Sequence, residues 1–192
     1  MSTLGTVHIT YIGEISFLKG IHYLVDAVRY LVKDVPGLKV RLIGGGSAMT
    51  EMKQFVSYFG LENVIEFVGY IKNNNIPNYL SSTKVYVQPS LTEVWSNSTI
   101  EALAMGVPVI CSRIEGLIEL IDHGKYGELC NTADSKDLYE KLRLCFTDPT
   151  FYNDLQSRAH AASSVIKKRY TLMHQVSAME DLYKEMLSNK RS

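Results

Sequence analysis

Residues 93–106 read E-V-W-S-N-S-T-I-E-A-L-A-M-G, and residues 107–110, V-P-V-I, follow directly. The Ser-Asn-Ser turn is typical of a helix start, because these side chains accept hydrogen bonds from the free N–H groups of the first helical turn. The Ala-rich segment after it favours a helix, and the apolar run that follows favours a buried strand. The stretch therefore predicts a loop, a helix and a strand in direct succession.

Short apolar runs and helical periods alternate along the rest of the chain in the same way. Strands are predicted at residues 7–12, 38–43, 64–68, 85–87, 107–111 and 127–130. Helices are predicted at residues 21–32, 47–59 (capped by Ser47), 73–80, 98–105, 117–121, 138–145 and 155–166, and from Thr171 onwards. This alternation predicts a Rossmann-like α/β fold, in which helices cover both faces of a parallel sheet, followed by C-terminal helices.

Composition argues against several classes of function. Lys and Arg total 20, and so do Asp and Glu, so the net charge is zero and no nucleic-acid partner is expected. The five histidines show no metal-ligand spacing, so no metal is expected. Three cysteines without a C-x-x-C pair, and an N-terminus without a signal-peptide pattern, predict free thiols and a cytoplasmic location. No apolar run reaches about 18 residues, so no membrane span is expected.

A parallel sheet of this kind binds ligands at the carboxyl ends of its strands, where the strand order reverses. The loop of residues 89–97 lies at such a place; it holds Glu93 and leads to Glu101. Carboxylates accept hydrogen bonds from vicinal sugar hydroxyls, and the helix start between the two glutamates offers backbone N–H groups to a diphosphate. The alternative is that Glu101 is an N-terminal capping glutamate and Glu93 a surface charge.

Three further features lie in loops that follow strands. Lys19 is placed to neutralise a phosphate, or it is a solvated loop lysine. Trp95 is placed to stack on a base or a sugar, or it fills the core. The glycine triplet 44–46 lacks the third glycine of a dinucleotide fingerprint, so it predicts a tight turn.

These segments together resemble the C-terminal, nucleotide-sugar-binding lobe of a retaining glycosyltransferase of the GT-B fold, group 1 (family 4). The resemblance covers nearly the whole chain and rests on residues 11–24, 40–46, 64–70 and 93–109. The last segment is similar to the E-x7-E signature of the family and to its continuation, A-L-A-M-G-V-P-V. The ordered set of segments is much more specific than the pair of glutamates alone.

The resemblance implies a role for each matching residue. Glu93 contacts hydroxyls of the donor sugar, Glu101 holds the ribose, and the backbone near Ile71 reads the base. Lys19, beyond the Gly13 turn, pairs with the diphosphate and stabilises the leaving group. The sugar and the diphosphate accept hydrogen bonds from the backbone N–H groups of Trp95, Ser96, Asn97 and Ser98. The resemblance implies neither a metal nor another cofactor.

The implied function is transfer of a hexosyl group from a UDP-, GDP- or ADP-linked sugar to an acceptor, with retention. The acceptor is expected to bind to an N-terminal lobe, supplied in cis or in trans. Any peripheral membrane contact is expected to occur through that lobe. The isolated chain is expected to show little or no transferase activity. Two alternatives stay open, a non-catalytic nucleotide-binding or assembly subunit and a dinucleotide-dependent oxidoreductase.

The chain departs from the family pattern at three places. Glu14 stands where an arginine is usual, which removes one of two expected phosphate cations. Val94-Trp95 stands where Gly-Phe is common, and Ile114-Glu115-Gly116 where a Gly-Gly pair is common. These departures put rate and donor choice in question.

Residues 1–192 are predicted to form a single domain. Its helical tail, residues 150–192, is expected to pack toward the N-terminal lobe. The apolar stripe of Leu172, Val176 and Met179 in that tail therefore predicts self-association when that lobe is absent.

Overall fold

The computed structural model describes residues 7–169, which form one six-stranded sheet with helices on both faces. The strands are β1 (Val7–Ile12), β2 (Val40–Ile43), β3 (Ile65–Gly69), β4 (Thr83–Gln88), β5 (Val109–Ser112) and β6 (Glu128–Cys130). All strand pairs are parallel, in the order β3-β2-β1-β4-β5-β6. The predicted fold class is therefore confirmed.

Seven α-helices connect and follow these strands. They are α1 (Ile21–Leu31), α2 (Met49–Tyr58), α3 (Ile76–Leu80), α4 (Asn97–Ala104), α5 (Glu115–Leu120), α6 (Ser135–Thr147) and α7 (Pro149–Arg169) within the described range. Short 3-10 turns precede α1 and α3 and follow α5. No helix among residues 7–169 is long and apolar enough to cross a bilayer.

Two apolar cores lie on opposite faces of the sheet. One contains buried side chains of α1, α2 and α6, and the other contains those of α3, α4 and α5. Helix α7 belongs to both, because Leu155 packs in the first core while Ala162 and Ile166 pack in the second. The helix thus lies against both α4 and α6.

The order of the strands reverses at β1. The chain runs outward from β1 through β2 to β3, then returns to place β4 on the other side of β1. The loops that leave β1 and β4 therefore diverge to opposite faces, and they leave a crevice at the carboxyl edge of the sheet.

Most element boundaries lie within two or three residues of the predicted ones, but the cap predicted at Ser47 is wrong. Helix α2 begins at Met49 after Ala48, and no side chain caps it. A backbone bond from the Ala48 N–H to the Ile15 carbonyl holds this turn instead. The predicted helix from Thr171 and the apolar stripe after it lie outside the described residues.

The turn after β2 depends on Gly44. Its φ is +127°, and a Cβ atom there would lie 1.9 Å from the carbonyl oxygen of Gly13. The backbone of this turn therefore lies directly against the turn that follows β1, and the predicted tight turn is confirmed.

We expect Gly44→Ala to lower the free energy of unfolding by about 3 kcal/mol, because backbone strain and overpacking each cost roughly 1–3 kcal/mol. Gly37→Ala is the matched control: Gly37 also has a positive φ, +74°, but no atom lies within 4 Å of its Cβ position. Its cost should be about 1 kcal/mol, from strain alone. Urea unfolding of the two variants measures both values, and equal losses would contradict the close approach of the two turns.

Candidate functional site

A cavity of about 380 Å³ opens at the crevice between the loops that follow β1 and β4. Its walls include Gly13, Lys19, Glu93, Trp95, Ser96, Asn97, Ser98 and Glu101. Eight of the nine predicted site residues therefore meet in one place, although they come from two separate segments, residues 13–19 and 93–101. The ninth, Ile71, lines an adjoining cavity of about 250 Å³ together with Tyr70 and Gly45, and Gly13 and Glu14 line both cavities.

The two loops touch each other at Gly20. Its φ is +68°, and a Cβ atom there would lie 1.9 Å from the carbonyl oxygen of Pro89. Beside this contact, the Leu91 N–H donates to the Leu18 carbonyl oxygen at 2.9 Å. The segment after β4 is therefore fixed on the segment after β1, and this places Lys19 beside Glu93.

Lys19 and Glu93 form a direct ion pair. Lys19 Nζ donates to Glu93 Oε2 at 2.7 Å, and the side chains are only 23% and 12% exposed. The alternatives of a solvated loop lysine and a surface glutamate are therefore both wrong. Three of the four charged residues that line the 380 Å³ cavity are carboxylates (Glu14, Glu93 and Glu101), so Lys19 is the sole cation among its described walls.

Gly116, at the start of α5, supports the loop from below. A Cβ atom at Gly116 would lie 2.5 Å from the carbonyl oxygens of both Glu93 and Val94. In the sequence, this position is only part of a departure from a Gly-Gly pair. In the structure, Gly116 lets the backbone of Glu93 and Val94 pack directly against α5.

Helix α4 points its first turn at the cavity. Ser96 is the N-cap, and its Oγ accepts a hydrogen bond from the Thr99 N–H at 3.3 Å. The N–H groups at the start of a helix have no partner within the helix and carry its positive dipole end, which suits an anion. The helix begins at Asn97, one residue before the predicted start at Ser98.

Glu101 is the fifth residue of α4, one turn after Ser98. A capping glutamate occupies the third helical position, which here is Thr99, so the capping alternative is wrong. Glu101 instead faces the cavity. Partial burial removes its carboxylate from water and raises its pKa.

Trp95 lines the cavity with 46% of its surface exposed. The alternative that it fills the core is therefore wrong. Its neighbour Val94 is 86% exposed.

Sequence reasoning missed a layer of buried polar side chains beneath the cavity. Tyr11, Tyr86 and Gln88 are 0–2% exposed and hydrogen-bond to one another or to the loops above them. The only sign of this layer in the sequence is the glutamine that directly follows the short run of residues 85–87. The contact that joins Tyr86 to the Ile12 carbonyl spans 74 residues, so sequence spacing does not reveal it.

The sequence of this chain matches one family and several curated proteins. The sequence profile of the family described as glycosyl transferases group 1 matches residues 5–162. The N-acetyl-alpha-D-glucosaminyl L-malate synthase of Bacillus anthracis is 25% identical over 182 residues, which cover 95% of this chain and 46% of that protein. The chain spans less than half the length of the curated relatives it matches.

Two solved structures share its fold. Anabaena HepE, in complex with UDP and glucose, superposes with a TM-score of 0.79 at 24% identity, over 96% of this chain and 49% of that one. The C-terminal domain of LpcC, a glycosyl transferase group 1 family protein of Francisella tularensis, gives 0.76 at 23% identity, over 88% of each chain. The chain therefore belongs to the family of glycosyl transferases group 1, and its fold is that of the C-terminal lobe of these GT-B proteins.

Proposed function

We propose that this chain binds a nucleoside diphosphate sugar. Together with an acceptor-binding lobe, it would transfer the hexosyl group to an acceptor with retention of the anomeric configuration. One observation carries the proposal: Lys19, Glu93, Glu101 and the first turn of α4 converge on a single cavity where the strand order reverses. Their chemistry matches the parts of such a donor, which are an anionic diphosphate and hydroxyl-bearing rings.

The Lys19–Glu93 pair suits both halves of the donor at once. An ammonium has three N–H donors, and Glu93 Oε2 takes one of them, so two remain for the diphosphate. Glu93 in turn keeps Oε1 to accept a hydrogen bond from a sugar hydroxyl. As the bond between sugar and phosphate breaks, Lys19 and the N–H groups of α4 stabilise the negative charge that develops on the phosphate oxygen.

The second cavity suits the nucleoside. Glu101 borders the sugar and phosphate side, where its carboxylate would accept hydrogen bonds from the ribose. The backbone near Ile71, beside Tyr70, would read the base in the 250 Å³ cavity. HepE, which has the same fold, has been solved with UDP and with UDP-glucose, and this supports a UDP-linked donor here.

The remaining parts of the proposal concern what lies around this lobe. We expect an N-terminal lobe, in cis or in trans, to bind the acceptor and to make any peripheral membrane contact. Self-association through the C-terminal helix is also part of the proposal, as are a cytoplasmic location and transfer without a metal or a nucleic-acid partner. The three buried free thiols, Cys111, Cys130 and Cys145, suit a reducing compartment.

A second candidate is a non-catalytic nucleotide-binding or assembly subunit. The observation that favours it is the charge of the cavity, where three carboxylates, one of them Glu14, face a single cation. A dinucleotide-dependent oxidoreductase is not proposed, because the profile match assigns the chain to another family.

Calorimetric titration of the chain with UDP, GDP and ADP tests the proposal and ranks the bases. At least one nucleotide should bind with a Kd below the millimolar range. No heat from any of the three at millimolar concentration would contradict donor binding by this chain.

Lys19→Ala should weaken UDP binding by about tenfold or more, because a hydrogen bond to a charged group contributes roughly 1.5–3 kcal/mol. The loss should be smaller for uridine, which has no phosphate. Lys53→Ala, an exposed lysine of α2 away from both cavities, is the matched control and should leave both affinities unchanged. Equal losses for UDP and uridine in Lys19→Ala would argue against the phosphate role.

Glu101→Gln should stabilise the free protein while weakening nucleotide binding. Because the folded-state pKa of Glu101 is raised by desolvation, its charged form is penalised on folding, and the penalty grows as the pH rises above the ordinary carboxyl pKa. The variant should therefore have the higher melting temperature at pH 7, and the gap should close below about pH 4. Thermal melts at the two pH values check the sign, and a constant gap would contradict it.

A further inference from the structure

The turn that follows β1 fixes the position of Glu14. On either side of this residue, the N–H groups of Gly13 and Ile15 donate to carbonyl oxygens at the end of β2 and in the turn after it, at 2.9 and 3.0 Å. The carbonyl oxygen of Glu14 itself accepts from the Tyr11 hydroxyl at 2.8 Å. The point from which the Glu14 side chain extends is therefore set by the fold, before any ligand binds.

Glu14 lies where the two cavities adjoin. It lines the 380 Å³ cavity together with Lys19, and it also lines the 250 Å³ cavity together with Ile71. The residue is exposed, and no hydrogen bond or ion pair to another of residues 7–169 engages its carboxylate. The turn thus presents an unpaired negative charge at the boundary between the two cavities.

The only cation among the described walls of the 380 Å³ cavity does not neutralise this charge. Lys19 Nζ already pairs with Glu93 Oε2 at 2.7 Å. Glu101 lines the same cavity and is a third carboxylate. When all four groups are ionised, the walls carry one positive charge and three negative ones. Each further negative charge on a ligand therefore meets a charge of the same sign at Glu14.

The donor and the product of the proposed transfer differ in charge. In a nucleoside diphosphate sugar neither phosphate is terminal, so each carries one negative charge. Departure of the sugar leaves a terminal phosphate, whose second ionisation has a pKa of about 6. At neutral pH the product therefore carries close to one unit of negative charge more than the donor. Since Coulomb repulsion is proportional to charge, a carboxylate on the cavity wall repels the product more strongly than the donor.

We propose that Glu14 is a specificity-determining residue that makes this site discriminate against the nucleoside diphosphate in favour of the nucleotide sugar. The proposal rests on the proposed nucleotide-sugar function. Specificity is a difference between two affinities, and an unpaired charge set against the unwanted ligand is one way to obtain it. Because donor and product compete for one cavity, the discrimination lowers the inhibition of transfer by its own product. It also weakens donor binding, but by less.

Calorimetric titration of the parent chain and of Glu14→Gln with uridine, UDP-glucose and UDP tests the proposal. The titrations are run at about pH 7.5 and low salt, with EDTA present so that no divalent cation masks the phosphates. The variant keeps the size of the side chain and removes its charge. Its affinity should be unchanged for uridine and higher for UDP-glucose. The gain for UDP should exceed the gain for UDP-glucose by about two- to fivefold, the effect of one unit charge roughly 8 Å away in a solvent-exposed site.

Two changes of conditions should reduce these gains. Near pH 5 the terminal phosphate of UDP keeps a proton, so the gains for UDP and UDP-glucose should converge. At about 0.5 M salt, where charges more than a few ångströms apart are screened, both gains should shrink. Gains that persisted in full under both conditions would not come from the charge of Glu14, and they would overturn the proposal.

Glu51→Gln is the matched control, because Glu51 is an exposed glutamate of α2 that lines neither cavity. It should leave all three affinities unchanged. If the parent chain binds both nucleotides, three results for Glu14→Gln would overturn this proposal alone: equal gains for UDP and UDP-glucose at about pH 7.5, a gain for uridine, or no gain at all. A parent chain that binds neither nucleotide would overturn the proposed function, and this proposal with it.

Discussion

The close approach of the backbones after β1 and β4 is the constraint on which the site depends. Gly20 allows the two segments to touch, and Gly44 allows the turn after β2 to lie against the turn after β1. With side chains at these two positions, the loops would have to separate by more than an ångström. The ion pair, the cavity and the orientation of α4 all presuppose that the loops are this close.

The Lys19–Glu93 pair matters more for placement than for stability. Both side chains are largely shielded from water, so the cost of desolvation offsets much of their attraction. What the pair achieves is to hold an ammonium and a carboxylate in fixed positions before a ligand arrives. A site that is ordered in advance loses less conformational entropy on binding.

Local patterns predicted most of the fold, and an ordered set of motifs predicted the site. Strand β1 is bounded as predicted because a short apolar run ends at Gly13, and α4 begins within a residue of its predicted start because Ser96 is a real N-cap. The sequence did not predict the turn before α2, where a backbone bond replaces a side-chain cap. Nor did it reveal the buried polar layer of Tyr86 and Gln88, because the contact of Tyr86 with the Ile12 carbonyl exists only in the folded sheet.

Helix α7 has a thermodynamic consequence. Because Leu155 lies in the core on one face of the sheet and Ile166 in the core on the other, detachment of this helix would expose apolar surface on both sides at once. Unfolding of the core on one face would therefore weaken the packing of α7 against the core on the other face. The two layers of the lobe are thereby coupled into one cooperative unit, so partial opening on one side is suppressed.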